Sequence, residues 1–429
     1  MPSHTAQRAS VAAMKLESIE TFAVAPPTGI GGSFWLFVRL TTDDGVQGIG
    51  ECYGIPFAPP VAQAMVEDVF HRYCAGANPT EVETLYRRVY SSGFTQRPDP
   101  TLMSVFSGIE IAMWDIVGKA RNVPIYELLG GRFHSRIRTY TYLYPKHALD
   151  PAAPDEGDCY HEPEAAAQRA AEYMAEGWTA VKQDPAGPYS FQGGRELSLH
   201  ELDRSERNIA AIRAAVGNNV DILFGTHGQM TTSSAIRLAQ RLAPYDPLWF
   251  EEPVPPDQVA SLERVVSSTS IPVATGERLT TRIEFHEALK AGVAILQPDI
   301  GRSGGLWETK KIAALAEVFN AQVAPHIYCG PVAHAAAAHL GFTLPNFLIL
   351  ETIDTEFHRE VITEPLTWDA GYLLAPGADR PGLGFDLNDA ALTAHPATAD
   401  TPLHLDMCQT PLSSNNKATI SELLTGRSS

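Results

Sequence analysis

Trp249-Phe250-Glu251-Glu252-Pro253-Val254-Pro255-Pro256 runs from two aromatic residues into two adjacent carboxylates and then into prolines. Prolines are not tolerated inside a central strand, so the stretch predicts a short buried strand that ends by delivering Glu251 to a rim. Outward from it, apolar runs end again and again in a polar side chain. His227 precedes Glu251, and Glu277, Asp299, His326 and Glu351 follow, at steps of 22 to 27 residues. One strand, one helix and two short loops need about that length, since an eightfold barrel spends roughly 250 residues on eight units. The polar ends are therefore expected to converge on one mouth of a β/α barrel.

The chain has 429 residues, is 44% hydrophobic and has a net charge of −18, enough length for a barrel and a smaller companion domain. An acidic surface argues against nucleic acid and anionic membranes as partners. Cys52, Cys74, Cys159, Cys329 and Cys408 have neither disulfide-framework nor zinc-knuckle spacing. No apolar run reaches the ~18 residues of a membrane span, and no signal-type apolar core opens the chain. These features predict a soluble, cytoplasmic protein.

Residues 1–13 are patternless and read as a disordered leader. Residues 14–134 read as an N-terminal α+β domain. It holds a hairpin turning at Asp43-Asp44-Gly45, a Gly-rich loop over 26–32 that could act as a lid, and helices over 61–90 and 101–129. The barrel follows over 135–365, starting with a strand from Arg136 to Leu143. A Pro/Asp-rich loop over 144–163 and an inserted loop over 185–201 interrupt the alternation, and helices are expected over 165–176, 203–216, 231–243, 257–268, 280–291, 305–319 and 331–340. Residues 366–394 read as a return to the first domain. The Thr/Pro/Ser/Asn-rich tail over 395–429 carries no pattern.

The motifs Ser107-Gly108-Ile109-Glu110-Ile111-Ala112-Met113-Trp114-Asp115-Ile116-Val117-Gly118-Lys119, Trp249 to Pro253, Gly276-Glu277, Gln297-Pro298-Asp299 and Ala324-Pro325-His326 resemble the enolase superfamily, in its mandelate racemase and muconate-lactonising branch. The resemblance implies a modified TIM barrel, (β/α)7β, under an α+β cap built from the N-terminal part and a C-terminal segment. It also implies one Mg2+ per subunit on carboxylates at the third, fourth and fifth strand ends, and a homo-oligomer, dimer or octamer.

Glu251 and Glu277 fill two of those ligand positions, where like charges need a cation between them. The third position is Gly225 in this chain, and Asp221 lies some 13 Å deeper at ~3.3 Å per residue. His227 shares the strand face with Gly225 and is expected either as the third ligand or as the acid for a leaving hydroxyl; Asp184 is a second candidate ligand. Asp299 and His326 match the family dyad of carboxylate and imidazole base. Lys182 matches a lysine that neutralises a substrate carboxylate, or else forms a rim salt bridge with Glu251 or Glu277. Asp184, where a racemase of this family carries a second lysine, argues for a single base. Glu351 matches a residue that donates a hydrogen bond to the enolate oxygen, which requires it to be protonated. Asp184, Tyr53, Tyr144, Arg302 and Tyr328 lie near the rim motifs and are expected to contact a polyol. Together these imply an acid-sugar dehydratase acting on an aldonate or aldarate. Two alternatives stay open: a cycloisomerase or epimerase on sugar acids or their lactones, and a metal-free descendant that binds a sugar acid without turnover.

Overall fold

The computed structural model describes residues 11–150, 152–153, 157–186 and 194–403. The leader up to residue 10, the tail beyond 403 and parts of both inserted loops lie outside the described residues. Strands β1 (Leu16–Val24), β2 (Trp35–Thr42) and β3 (Gln47–Cys52) form an antiparallel sheet in that order. Its hairpin closes at Gly45, whose φ of 83° suits glycine. Against this sheet lies the helix Pro100–Arg121, capped by Asp99 at its start and ended by Asn122 in the left-handed region. A Cβ on Gly50 would stand 1.9 Å from the carbonyl oxygen of Gly108, so the sheet and helix can touch only through glycine. That helix ends at Arg121, short of the expected 129; it is long and apolar enough to cross a membrane, but 83% of its apolar window is buried inside the fold.

The helix expected over 61–90 is two helices, Pro59–Val69 and Val82–Tyr90. A π-helical turn at Phe70–Cys74 ends the first, and Gly76, at φ 76°, turns the chain before Pro79.

The barrel strands are β4 (Arg136–Tyr142), β5 (Ala180–Gln183), β6 (Asp221–Gly225), β7 (Trp249–Glu251), β8 (Val273–Thr275), β9 (Ile295–Leu296), β10 (Gln322–Val323) and β11 (Leu350–Glu351). Neighbours pair in parallel from β4 to β10, and β11 pairs with β4. A parallel bridge from Val323 to Phe347 closes the ring. One side chain from each strand or its edge, from Tyr140 through Leu223 and Trp249 to Ile349, fills the interior. The barrel is thus packed shut below its carboxyl-terminal mouth.

The C-terminal return begins later than expected. β12 (Trp368–Asp369) and β13 (Tyr372–Leu374) stay with the barrel, β13 pairing antiparallel with β4. Backbone bridging to the cap occurs at Gly382, which pairs with Pro124, and at Pro396, which pairs with Val24.

Polar ties join the cap to the barrel and to the C-terminal segment. Glu51 accepts the N–H groups of Gly330, Val332 and Ala333 at 2.5, 3.1 and 2.8 Å, at the start of the helix Pro331–Gly341. Glu110 accepts those of Leu306 and Trp307 at 2.7 and 2.8 Å. Asp115 accepts from Ile49 and Leu383 at 3.0 and 2.8 Å, and Arg302 donates to the Gly54 carbonyl at 2.9 Å. Carboxylates at helix N-termini complement both the orphan N–H groups and the helix dipole. The Glu110 and Asp115 contacts explain the length of the motif over 107–119.

Candidate active site

Glu251 and Glu351 are the last residues of β7 and β11. Glu277, Asp299 and His326 stand two or three residues beyond β8, β9 and β10, and Lys182 is the third residue of β5. The Gly276 φ of 147° provides the turn that swings Glu277 over the mouth. His227 reaches the site differently from the expectation. β6 ends at Gly225, and His227 sits in a left-handed turn at φ 50°, so the turn and not strand alternation aims its ring. Thr226 fixes that turn by donating its hydroxyl to the Glu251 carbonyl at 2.7 Å.

The His326 ring is 4% exposed, with Nδ1 2.8 Å from Asp299 Oδ2. Asp299 also accepts the Gly301 N–H at 2.8 Å. A carboxylate acceptor requires the proton on Nδ1 and leaves the Nε2 lone pair toward Glu277 Oε2, 3.5 Å away, and Glu351 Oε2, 3.9 Å away. Burial disfavours the imidazolium, but the Glu277 carboxylate and the Asp299 hydrogen bond outweigh it and lift the His326 pKa to about 9; a cation held by Glu277 would offset the larger of these two contributions and lower the pKa, freeing Nε2 to act as a base. His227 is likewise raised, with burial opposed by Glu277 and Asp184. Glu277 pays for burial yet lies below the usual carboxylate range, because His326, His227 and Lys182 surround it.

Lys182 is 1% exposed, with Nζ 2.5 Å from Glu251 Oε1 and 3.4 Å from Glu351 Oε1. Burial opposes its charge, but Glu251, Glu351 and Glu277 hold its pKa above the ordinary lysine value. Glu251 Oε2 accepts from Trp249 Nε1 at 3.0 Å and Gln297 Nε2 at 2.6 Å. Glu351 Oε2 accepts the Ile327 N–H at 3.0 Å, and Oε1 lies 3.4 Å from Lys182 Nζ. Glu252 turns away to Arg278, at 2.5 Å, and Asp221 pairs with Arg138 at 2.7 Å on the far side of the barrel.

Ligand atoms of His227, Glu251 and Glu277 all lie within 4.8 Å of one another. Asp184 stays outside this group, with Oδ2 3.4 Å from His227 Nδ1. Two carboxylates and an imidazole at that separation suit a divalent cation, and Glu277 Oε2 is buried without a hydrogen-bond donor.

Above these groups lies a cavity of about 360 Å³, lined by Tyr53, Tyr142, Tyr144, Asp158, Tyr160, His161, Lys182, Asp184, His227, Glu277, His326, Tyr328 and Glu351. The cap supplies Tyr53, its ring 5.3 Å from that of His326. Ile30, from the Gly-rich loop, packs in one cluster with Tyr142, Tyr144 and Ile353 beside the cavity. Arg302 does not line the cavity. Its guanidinium is spent on the carbonyls of Gly54 and Glu277 and lies 4.8 Å over the Tyr53 ring, so it latches the cap instead of meeting substrate. Tyr142, Asp158, Tyr160 and His161 were not singled out from the sequence. Tyr142 could have been, as the last residue of the first barrel strand; the other three sit in a loop without periodicity.

A profile of the enolase C-terminal domain-like family matches residues 165–391, and one of the mandelate racemase/muconate lactonizing enzyme N-terminal domain matches residues 19–130. The chain belongs to the mandelate racemase/muconate lactonizing enzyme family. Among solved members of this family, the enzyme from Jannaschia sp. CCS1 is 52% identical, with a TM-score of 0.87 over 91% of this chain and 100% of that one. The one from Sulfitobacter sp. is 51% identical, with a TM-score of 0.88 over 93% and 99%. Named relatives include the D-galactonate dehydratase of Ralstonia nicotianae, 34% identical over 88% of this chain and 93% of that protein. That of Xanthomonas axonopodis pv. citri is 36% identical over 79% and 81%. The modified barrel under an α+β cap is therefore the family fold, as the motifs implied.

Proposed function

We propose that the protein is a hydro-lyase that removes water from a sugar acid to give a 2-keto-3-deoxy acid. The observation that carries this reading is the His326 ring, held by Asp299 on one nitrogen and presenting the other to a cavity floored by Glu277, Lys182 and Glu351. The D-galactonate dehydratase relatives support the same chemistry. One Mg2+ per subunit, held by Glu251, Glu277 and His227, would supply positive charge to the substrate carboxylate and so acidify the carbon beside it.

His326 Nε2 takes the proton from that carbon, and Asp299 stabilises the imidazolium that results. Lys182 remains a cation and faces the carboxylate as its negative charge grows. The C–H electron pair then moves into a new C=C bond as the β-hydroxyl leaves. His326 hands its proton to that hydroxyl, releasing water, and the enol tautomerises to the 2-keto acid. Asp184, Tyr53, Tyr144 and Tyr328, with Tyr142 and Tyr160, offer hydroxyls and carboxylate oxygens suited to a polyol chain. Among the described residues, no arginine lines the cavity, and its lysine lies on the floor beside the catalytic groups. That balance suits one substrate carboxylate, an aldonate, better than the two of an aldarate.

The test is incubation with matched aldonates and aldarates in Mg2+, scoring 2-keto acid with semicarbazide. Turnover of one or more aldonates is expected, with His326→Asn at least about a thousandfold slower at unchanged fold. No keto acid from any sugar acid, or full turnover by His326→Asn, would overturn the reading.

A further inference from the structure

On the strand where the family resemblance expects the third carboxylate ligand, the space beside the backbone is already filled. Register places Gly225 directly beside Glu251, and a Cβ on Gly225 would stand 2.4 Å from the Tyr142 hydroxyl and 2.5 Å from Lys182 Cε. Lys182 and Tyr142 thus occupy the volume an aspartate would need. The ligand atom of His227, brought in by the left-handed turn after β6, comes within 4.8 Å of those of Glu251 and Glu277. Its Nδ1 faces Asp184, 3.4 Å away, and Asp184 is itself fixed by the Ala186 N–H at 2.9 Å. The ring is thus held between Asp184 and the two carboxylates. A carboxylate behind a ligating imidazole is the usual way to set its tautomer and orientation.

We propose, resting on the cation-assisted reading above, that the centre is a two-carboxylate, one-histidine site. His227 is a ligand, Asp184 is its positioning residue, and the site prefers a first-row transition ion such as Mn2+ to Mg2+. Replacing a carboxylate by a neutral nitrogen removes one negative charge and introduces a softer donor. Mg2+ favours hard oxygen ligands in near-octahedral geometry, whereas imidazole suits Fe, Ni, Cu and Zn; Mn2+, at the oxygen-favouring end of the first row, is the paramagnetic probe and the most stringent comparison with Mg2+.

The test uses the full chain loaded with Mn2+, read by pulsed EPR for nitrogen coupling, alongside calorimetric titrations with Mn2+ and with Mg2+. Nitrogen coupling is expected in the wild type and lost in His227→Gln, with Mn2+ bound at least about tenfold more tightly than Mg2+. Asp184→Asn should keep the coupling but weaken Mn2+ by about 10- to 100-fold. Three results would overturn the inference while sparing the dehydratase reading: Mn2+ bound without nitrogen coupling, coupling that survives His227→Gln, or equal affinity for the two ions. Binding of neither ion would overturn the cation-assisted reading itself. If His227→Gln fails to fold, the wild-type coupling and the affinity ratio still decide the matter.

Discussion

At the scale of the residue, Gly225 matters as much as any charged group. It is the space into which Lys182 extends, and Lys182 in turn neutralises Glu251 in a buried site. Gly225→Ala adds a methyl where nothing can yield except the lysine stem and the Tyr142 ring. Overpacking of this kind costs about 1–3 kcal/mol, so a chemical-denaturant midpoint should fall accordingly, and turnover should drop as Lys182 is displaced. An unchanged midpoint would mean that the lysine has room elsewhere. Glu51 makes a second case. Its three N–H contacts to Gly330, Val332 and Ala333 follow His326 by only four to seven residues. Glu51→Ala leaves those donors buried and unpaired, at about 1–3 kcal/mol for each buried group left without a partner. The expected outcome is a large loss of thermal stability; a shift of less than a degree would mean that water takes over.

At the scale of the element, what could be read from the sequence was whatever repeats. Each barrel unit ends its strand at the same mouth, so Glu251, Glu277, Asp299, His326 and Glu351 announce themselves by spacing alone. The barrel helices likewise fall within a few residues of their expected ranges, from Leu199–Val216 to Pro331–Gly341. What could not be read depends on single turns or on partners far away in the chain. The left-handed turn at His227 is invisible to a period-two argument. Arg302 resembles a substrate contact until its carbonyl partner Gly54, 248 residues away, is known. Asp158, Tyr160 and His161 lie on a loop with no pattern to place them. The latch gives a prediction at this scale: Arg302→Ala frees Tyr53 and loosens the cap over the cavity. KM should rise about tenfold with a smaller change in kcat, because Arg302 lies outside the cavity and holds the cap rather than the base. A loss confined to kcat would place Arg302 in the chemistry instead.

At the scale of the whole molecule, three buried histidines, His334, His339 and His358, contribute to the response to acid; two of them illustrate it. His339 lies between the Tyr126 N–H and the Leu383 carbonyl, and His358 between Thr355 and the Cys329 carbonyl. Burial depresses both to about 4. A group whose folded pKa is depressed contributes stability that is fully present above its unfolded value near 6.5 and is lost as pH falls toward 4. Each is worth on the order of 3 kcal/mol across that window. Thermal unfolding should therefore weaken steeply between pH 6.5 and 4, and His339→Gln should flatten the slope. A flat profile in the wild type would mean that both rings can take a proton in place.

The claim at the centre is that His326 removes the proton beside the substrate carboxylate. It is tested most directly with a substrate deuterated at that carbon, using an aldonate found to be turned over and the metal-loaded enzyme, and following the label by NMR. The expected result is that the wild type releases deuterium to water in step with 2-keto acid, while His326→Asn releases none yet still binds the cation and substrate. Deuterium released by His326→Asn at the wild-type rate, or 2-keto acid that retains the label at that carbon, would contradict it.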